Sequence, residues 1–209
     1  MKVLITCGPT WVKMDDVRVI SNQSSGEMGH LIAAELLKQG VTVTLLEGAV
    51  THVWSNPKVK VIKYRFFDEL AKSLSAELKK GYDCVIHAAA GSDFVLAKPL
   101  KGKIDSSKAL TLTLVPASKL IDQIKKIAPE TFLVGFKLEP DFDVETTGRS
   151  SLQRIRMETH GLFIKSQCDL VVANSVNKGY QGLVVDADGQ VLAKAKTKRK
   201  IAEALAKLL

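Results

Sequence analysis

The stretch Arg18–Gly29, RVISNQSSGEMG, collects one guanidinium, two amides, three hydroxyls and two glycines directly ahead of an amphipathic helical pattern. Unpaired N–H groups at a helix start and the helix dipole both favour negative charge, so this is the chemistry of an anion cradle. Ser24, Ser25, Gly26 and Gly29 form the candidate cradle, with the two glycines letting a phosphate approach the backbone. Simple capping of the helix by Ser24 or Ser25 is the alternative.

A second polar island, AAAGSDFVLAKPLKGKIDSS at 88–107, interrupts apolar sequence. Its small residues leave room for a planar group, Asp93 offers an acceptor, and Lys101 and Lys103 offer positive charge. A third, FKLEPDFDVETTGRSS, follows another strand end and reads as a lid over residues 139–150 or an ordinary surface loop. The common nucleotide signatures are missing. No G-x-G-x-x-G follows the first strand, Gly102-Lys103 lacks the upstream glycine of a phosphate-binding loop, and no Tyr-x-x-x-Lys occurs. The four histidines lie far apart in sequence with no acidic or cysteine partner at ligand spacing, so no built-in metal site is expected.

These islands must be positioned by the elements between them. KVLIT at the start, VTVTLLEG, KVKVIKY, DCVIHAAA, TFLVGFKL and DLVVAN read as strands, and TLTLV as a strand with one wet face. EMGHLIAAELLKQG, FFDELAKSLSAELKKG, SKLIDQIKKIA, residues 150–166 and residues 198–209 read as helices. Gln181 to Ala193 reads as a hairpin turning at DADG. Near-continuous apolar strands alternating with helices predict an α/β fold, a Rossmann-like, doubly wound, mostly parallel sheet with helices on both faces and a small edge hairpin or flap. The first strand-to-helix connection, Gly8 to about Ser24, is far longer than the usual few residues, and it lies where such sheets bind ligands.

With 209 residues, the chain suits one domain spanning 1–209. Its apolar (46%) and charged (25%) shares place it with globular chains. No apolar run approaches the roughly 20 residues that span a bilayer, and the N-terminus has no signal-peptide layout, so a cytoplasmic location without membrane contact is expected. Cys7, Cys84 and Cys168 read as core thiols of a reducing compartment. Much of the net charge of +8 sits in KAKTKRK at the entrance of the last helix. Without an aromatic-rich basic face, nucleic acid is not the expected partner.

Read together, the islands resemble phosphopantothenoylcysteine synthetase, the ligase of coenzyme A biosynthesis. ITCGPTWVKMDDVRVISNQSSGEMG is similar to the family's opening motif, HAAAGSDF to its central strand end, GKI to its lysine loop, LVGFKLE to its nucleotide-side strand and DLVVAN to its last core strand. The resemblance implies that 4'-phosphopantothenate and L-cysteine are joined through an acyl nucleotidylate made from CTP or ATP with Mg²⁺. It implies no flavin. Asn22 would hold the acyl intermediate, with Arg18 four residues earlier, and Lys103 would meet the triphosphate. Gly8, Ala89, Asp93, Phe136 and Asn174 would line the nucleotide pocket, and Lys165 is the only lysine near the position of a family pair before the last core strand. The cradle would take the phosphate of the acid or of the nucleotide.

The resemblance further implies a homodimer in which TLTLTLV helps to close the partner's site, and a decarboxylase that is a fused domain in many relatives and here a separate subunit. VPAS stands where the family has NPDI. KIDSS and FKLE look like stand-alone and eukaryotic members, the eukaryotic ones typically using ATP, whereas SSGEMG looks bacterial and points to CTP. A nicotinamide-dependent reductase and a non-catalytic nucleotide or nucleic-acid binder are the competing readings of the same fold.

Overall fold

The structure, a computed structural model, describes residues 1–50, 54–98, 100–105, 107–139, 149–177 and 179–209, with residues 149–156 as backbone only. Its centre is a sheet of β1 (Lys2–Cys7), β4 (Thr42–Glu47), β5 (Lys60–Lys63), β6 (Cys84–His87), β9 (Phe132–Leu138), β10 (Leu170–Ser175), β11 (Gln181–Asp186) and β12 (Val191–Ala195). The order across it is β5-β4-β1-β6-β9-β10-β11-β12. The first six strands run parallel, and β11 and β12 close one edge as the antiparallel hairpin expected at DADG.

Alternation along each strand sends side chains to two cores. Val3, Ile5, Val43, Leu45, Cys84, Ile86, Val134 and Val172 face α1 (Glu27–Lys38) and α5 (Lys198–Leu208). Leu4, Leu46, Val85, Leu133 and Val171 face α2 (Phe67–Leu78), α3 (Ile121–Ile127) and the end of α4 (Arg149–Ile164), where Leu162 and Phe163 pack. This two-sided burial is why the strands read as continuous apolar runs, and the doubly wound expectation holds. All three cysteines are buried free thiols, each pushed up to about 12, chiefly by burial. No helix among the described residues is long and apolar enough to cross a membrane.

Two small ribbons depart from expectation. The long connection after β1 contains a hairpin of β2 (Trp11–Lys13) and β3 (Val19–Ser21). TLTLV contributes only its end: β8 (Leu114–Pro116) pairs with β7 (Phe94–Leu96) outside the central sheet. The ribbons bury too little for their three-residue strands to show a clear apolar period.

Helix α1 approaches β1 very closely. A Cβ on Gly29 would lie 2.3 Å from Cys7 Cβ, so only glycine fits there. Gly29→Ala should therefore destabilise the fold by about 1–3 kcal/mol in chemical denaturation. Gly161→Ala, where an added Cβ meets no atom within 4 Å, should change stability by no more than about 1 kcal/mol.

A second test concerns Glu77, a buried carboxylate that accepts bonds from Lys80 Nζ (2.6 Å), Tyr82 Oη (2.6 Å) and Lys60 Nζ (3.0 Å). Burial would raise its carboxyl, but these donors outweigh that and hold it at about 2. The group is thus more acidic folded than unfolded. Its contribution is complete above an ordinary glutamate's value of about 4.3 and is lost as pH falls toward 2. Glu77→Gln should cost about 1–3 kcal/mol at neutral pH and flatten the fall in stability between those values.

Candidate active site

The chain leaves β1 toward β4 on one side, and β6 pairs with β1 on the other, so a switch point opens at the carboxyl ends of β1 and β6. Ligands of doubly wound sheets bind at such a point. Here the two loops are laced together beyond the sheet. Ala88 N donates to Thr6 O (3.0 Å), Ala90 N to Gly8 O (2.9 Å) and Thr10 N to Ala90 O (3.2 Å). The buried Thr10 adds its hydroxyl, which accepts from Ser92 N at 2.9 Å and lies 3.0 Å from Ser92 Oγ. Asn22 reaches across from the hairpin side, its Nδ2 donating to Ala90 O (3.2 Å) and Gly91 O (2.9 Å). Asn22, Gly8, Ala89 and the start of the Asp93 turn therefore share one rim.

The start of α1 forms the next wall. Gly26 occupies the N-cap in a left-handed conformation with φ 73°. Ser25 Oγ accepts from Glu27 N at 3.4 Å. Gly26 itself has no side chain to offer, so Ser25 caps the first N–H of α1 from one position further out, and the helix dipole points at the crevice. The glycines have a different reason from the one expected. The missing Cβ of Gly29 faces Cys7, and those of Gly8 and Gly26 would strike Val50 Cγ1 at 2.8 and 2.4 Å. Tight packing beneath the cradle requires all three, and Gly8 and Gly26 also hold left-handed backbone with φ 83° and 73°. Glu27 in the first turn is paired with Lys198 at 2.6 Å, which ties the basic entrance of α5 to the cradle.

The third wall is the β2–β3 hairpin, anchored by Trp11 N donating to Arg65 O (2.7 Å) and by the edge-on contact of Trp11 with Phe66. At its turn lies a residue that the sequence reading missed. Asp15 is 1% exposed; its Oδ1 accepts from Val17 N (2.8 Å) and Arg18 N (2.7 Å), and its Oδ2 from Arg18 Nη1 (2.8 Å) and Ile104 N (3.1 Å). Burial alone would raise this carboxyl, but the N–H groups of Ile104, Val17 and Arg18 and the Arg18 guanidinium hold it below the usual carboxylate range. Arg18 Nη1 also lies 3.3 Å from Ile104 O. Next door, Asp16 Oδ2 accepts from Gly102 N (3.0 Å), while Asp16 N donates to Gly102 O (3.3 Å). Arg18 and the exposed Lys103 are thereby brought to one wall, although 85 positions (103 − 18) separate them. The only local signal was the run DDVR, an acceptor three residues ahead of a guanidinium.

Farther along, Phe136 and Asn174 lie on β9 and β10 near their carboxyl ends, where Glu139 N donates to Asn174 O at 2.8 Å. Both are on the crevice edge of the sheet. Lys165 is not. It follows the end of α4, five residues before β10 begins, and so lies at the opposite edge. Sequence distance to DLVVAN suggested proximity; strand direction reverses it. The cation that does stand at the crevice end of β9 is Lys137, 3.6 Å from Glu139 and 3.7 Å from Glu158. Residues 140–148, most of the expected lid, lie outside the described residues.

Beneath the cradle the structure gathers Cys7, His30 and Glu47, whose ligand atoms all lie within 4.8 Å. The histidines were expected to have no such partners, and the fold supplies them from three elements. The set has metal-ligand chemistry, but its carboxylate is already engaged. Glu47 Oε1 meets His30 Nε2 at 2.5 Å and Oε2 meets Lys63 Nζ, while Trp54 stacks on the imidazole. We read it as a buried carboxylate held by an imidazole and a lysine, beside a neutral thiol. His87 at the end of β6 is drawn down to about 4 by burial, and its Nδ1 lies 2.9 Å from Thr6 Oγ1. It is neutral at physiological pH.

Known proteins share this fold. The family model described as the DNA/pantothenate metabolism flavoprotein C-terminal domain matches residues 1–208. The coenzyme A biosynthesis bifunctional protein CoaBC of Thermococcus kodakarensis is 36% identical over 98% of this chain and 49% of its own length. The chain thus spans about half the length of that relative. Among solved structures, a DNA/pantothenate metabolism flavoprotein from Streptococcus pneumoniae superposes with a TM-score of 0.81 at 25% identity, covering 100% of this chain and 97% of its own. A Cab2 mutant in complex with phosphopantothenate-cysteine shares the fold, with a TM-score of 0.73 at 18% identity over 99% of this chain and 85% of its own. With matched sequence running from end to end and its motifs converging on one strand-end crevice, the chain belongs to the family of the DNA/pantothenate metabolism flavoprotein C-terminal domain.

Proposed function

We propose that this chain is a phosphopantothenate–cysteine ligase that joins 4'-phosphopantothenate to L-cysteine with CTP or ATP. The observation that carries the reading is that Asn22 bridges the two switch-point loops beside the α1 start, while Asp15 and Asp16 tie the Arg18 turn to the segment that bears Lys103. The likeness to a coenzyme A biosynthesis bifunctional protein and to a Cab2 mutant in complex with phosphopantothenate-cysteine supports it.

In the first step the acid's carboxylate attacks the α-phosphate, pyrophosphate leaves, and an acyl nucleotidylate remains. In the second, the amine of cysteine attacks the acyl carbon and the nucleoside monophosphate leaves. Charge moves on phosphate and carbonyl oxygens in both, so catalysis is the work of fixed donors and cations. Arg18, Lys103 and the N-terminus of α1 face the phosphates. The amide of Asn22, its two N–H donors committed to Ala90 O and Gly91 O, presents Oδ1 as a fixed acceptor toward the amide or amine N–H groups of the acyl intermediate and cysteine. Mg²⁺ brought by the triphosphate would neutralise phosphate charge, and Asp93 is the rim carboxylate that would face it. Phe136 and Asn174, on the same face of β9 and β10, flank the base. No flavin takes part.

A homodimer completes the site. Phe94, Leu114 and Val115 on the β7–β8 ribbon and Val17, Val19 and Ile20 on the neighbouring hairpin are all exposed. A second copy covering these two adjacent ribbons would bury an apolar patch of the kind that marks interfaces. The relatives are bifunctional and about twice as long, which supports a decarboxylase working beside this one, and the reaction suits the cytoplasm.

The test is pyrophosphate release with Mg²⁺, 4'-phosphopantothenate and cysteine, run in parallel with CTP and ATP. Release that requires phosphopantothenate is expected; release indifferent to it, or none with either nucleotide, rejects the ligase. Asn22→Asp and Lys103→Gln should each lower kcat/KM by about 100-fold or more. Lys165→Ala should stay within about threefold of wild type.

A further inference from the structure

Resting on the ligase reading, we propose that Asp15 and Asp16 are positioning residues that clamp the Gly102–Ile104 segment and so preorganise Lys103 together with Arg18. Lys103 sits in an exposed stretch without regular secondary structure, and a lysine side chain carries about 2 kcal/mol of rotamer entropy. A cation on an unanchored root stabilises a moving charge poorly, because geometry must be in place before the reaction. The residues on both sides of Lys103 are anchored. Gly102 exchanges two backbone-directed bonds with Asp16, and Ile104 gives its N–H to Asp15 and faces the Arg18 guanidinium with its carbonyl.

The two oxygens of Asp15 divide the work. Oδ1 accepts Val17 N and Arg18 N two and three residues on, the bonding of an Asx-type turn, which by itself would suffice to shape the hairpin. Oδ2 does nothing for the turn's backbone. It accepts from the Arg18 side chain and from Ile104 N, 89 residues away. A buried carboxylate is costly unless fully partnered, and the partners that satisfy this second oxygen are the two cation-bearing segments of the wall.

That division supplies a clean test. Asp15→Asn keeps an acceptor for the turn but replaces Oδ2 with an amide donor facing the Ile104 N–H and the Arg18 guanidinium. Single-turnover pyrophosphate release separates the possible effects, since loss of folded protein lowers the amplitude whereas misplacement lowers the rate constant. For Asp15→Asn the rate constant should fall about 10- to 100-fold at full amplitude. Asp16→Ala should move it the same way by a smaller factor. Placed on Lys103→Gln, Asp15→Asn should lower the rate constant by a smaller factor than it does in the wild type, because part of the clamp acts through the lysine and only the part that acts through Arg18 remains.

A rate constant within about twofold of wild type for both variants, an effect confined to amplitude, or full additivity with Lys103→Gln overturns the clamp. Should Asp15→Asn fail to fold, Asp16→Ala decides alone, since the Asp16 side chain is 55% exposed and its removal leaves the buried carboxylate in place. A wild-type chain that releases no pyrophosphate overturns the ligase reading and the clamp with it; an active wild type with unaffected variants overturns the clamp alone.

Discussion

Backbone hydrogen bonds between the loop after β1 and the loop after β6 continue the parallel pairing beyond the last strand residues, and the rest of the site hangs on them. Through Ala88, Ala90 and Thr10 the two loops run together instead of splaying apart, as loops at a switch point ordinarily do. The crevice therefore has a floor of main chain. Asn22 can reach two carbonyls only because Ala90 and Gly91 are held in register with Gly8 and Thr10. The turn at Gly8 is fixed from below as well, since the Tyr64 hydroxyl donates toward Cys7 O (2.8 Å) and Gly8 O (3.2 Å).

Buried acids are matched to cations throughout this positively charged chain. Glu77 takes Lys60 and Lys80, Glu47 takes His30 and Lys63, and Asp15 takes Arg18. The three pairings serve different ends. Glu77 joins the end of α2 to β5 and acts on the fold alone. Glu47 lies under the cradle, where an unpaired carboxylate would repel an incoming phosphate, and its two partners remove that repulsion. Asp15 lies beside the crevice and trades part of the positive charge of Arg18 for a fixed position.

The central sheet was legible in the sequence because burial on both faces writes each parallel strand as an apolar run, with glycines such as Gly40 and Gly81 closing the helices between them. The ribbons were not, since Trp11–Lys13 and Val19–Ser21 bury too few side chains to leave a period-two signal. The site was legible in part. Arg18, Asn22 and the helix start lie close together in the chain, and polar residues clustered at a strand end reveal themselves. Lys165 was misplaced because nearness to DLVVAN in sequence says nothing about which edge of the sheet a residue occupies. Asp15 was overlooked because an aspartate in a polar loop is ordinary until its distant partner is known, and Ile104 becomes that partner only through the fold. Gly29 was noticed for the wrong reason: its bare face turns toward Cys7, which only the packing of α1 on β1 could show.

This architecture separates affinity for phosphate from choice of substrate. The floor and the α1 wall are built from main chain and a helix dipole, which favour any phosphate alike. Differences between acids, or between cytosine and adenine, must be read by side chains on the remaining walls. Those walls are the hairpin with Asp15 and Arg18 and the β9–β10 end with Phe136 and Asn174, and both depend on contacts between residues remote in sequence. A substitution in the cradle should therefore weaken all phosphate ligands together. On the ligase reading, one at the strand ends of β9 and β10 would change the preferred base and leave the cradle untouched, because the two walls share no side chain.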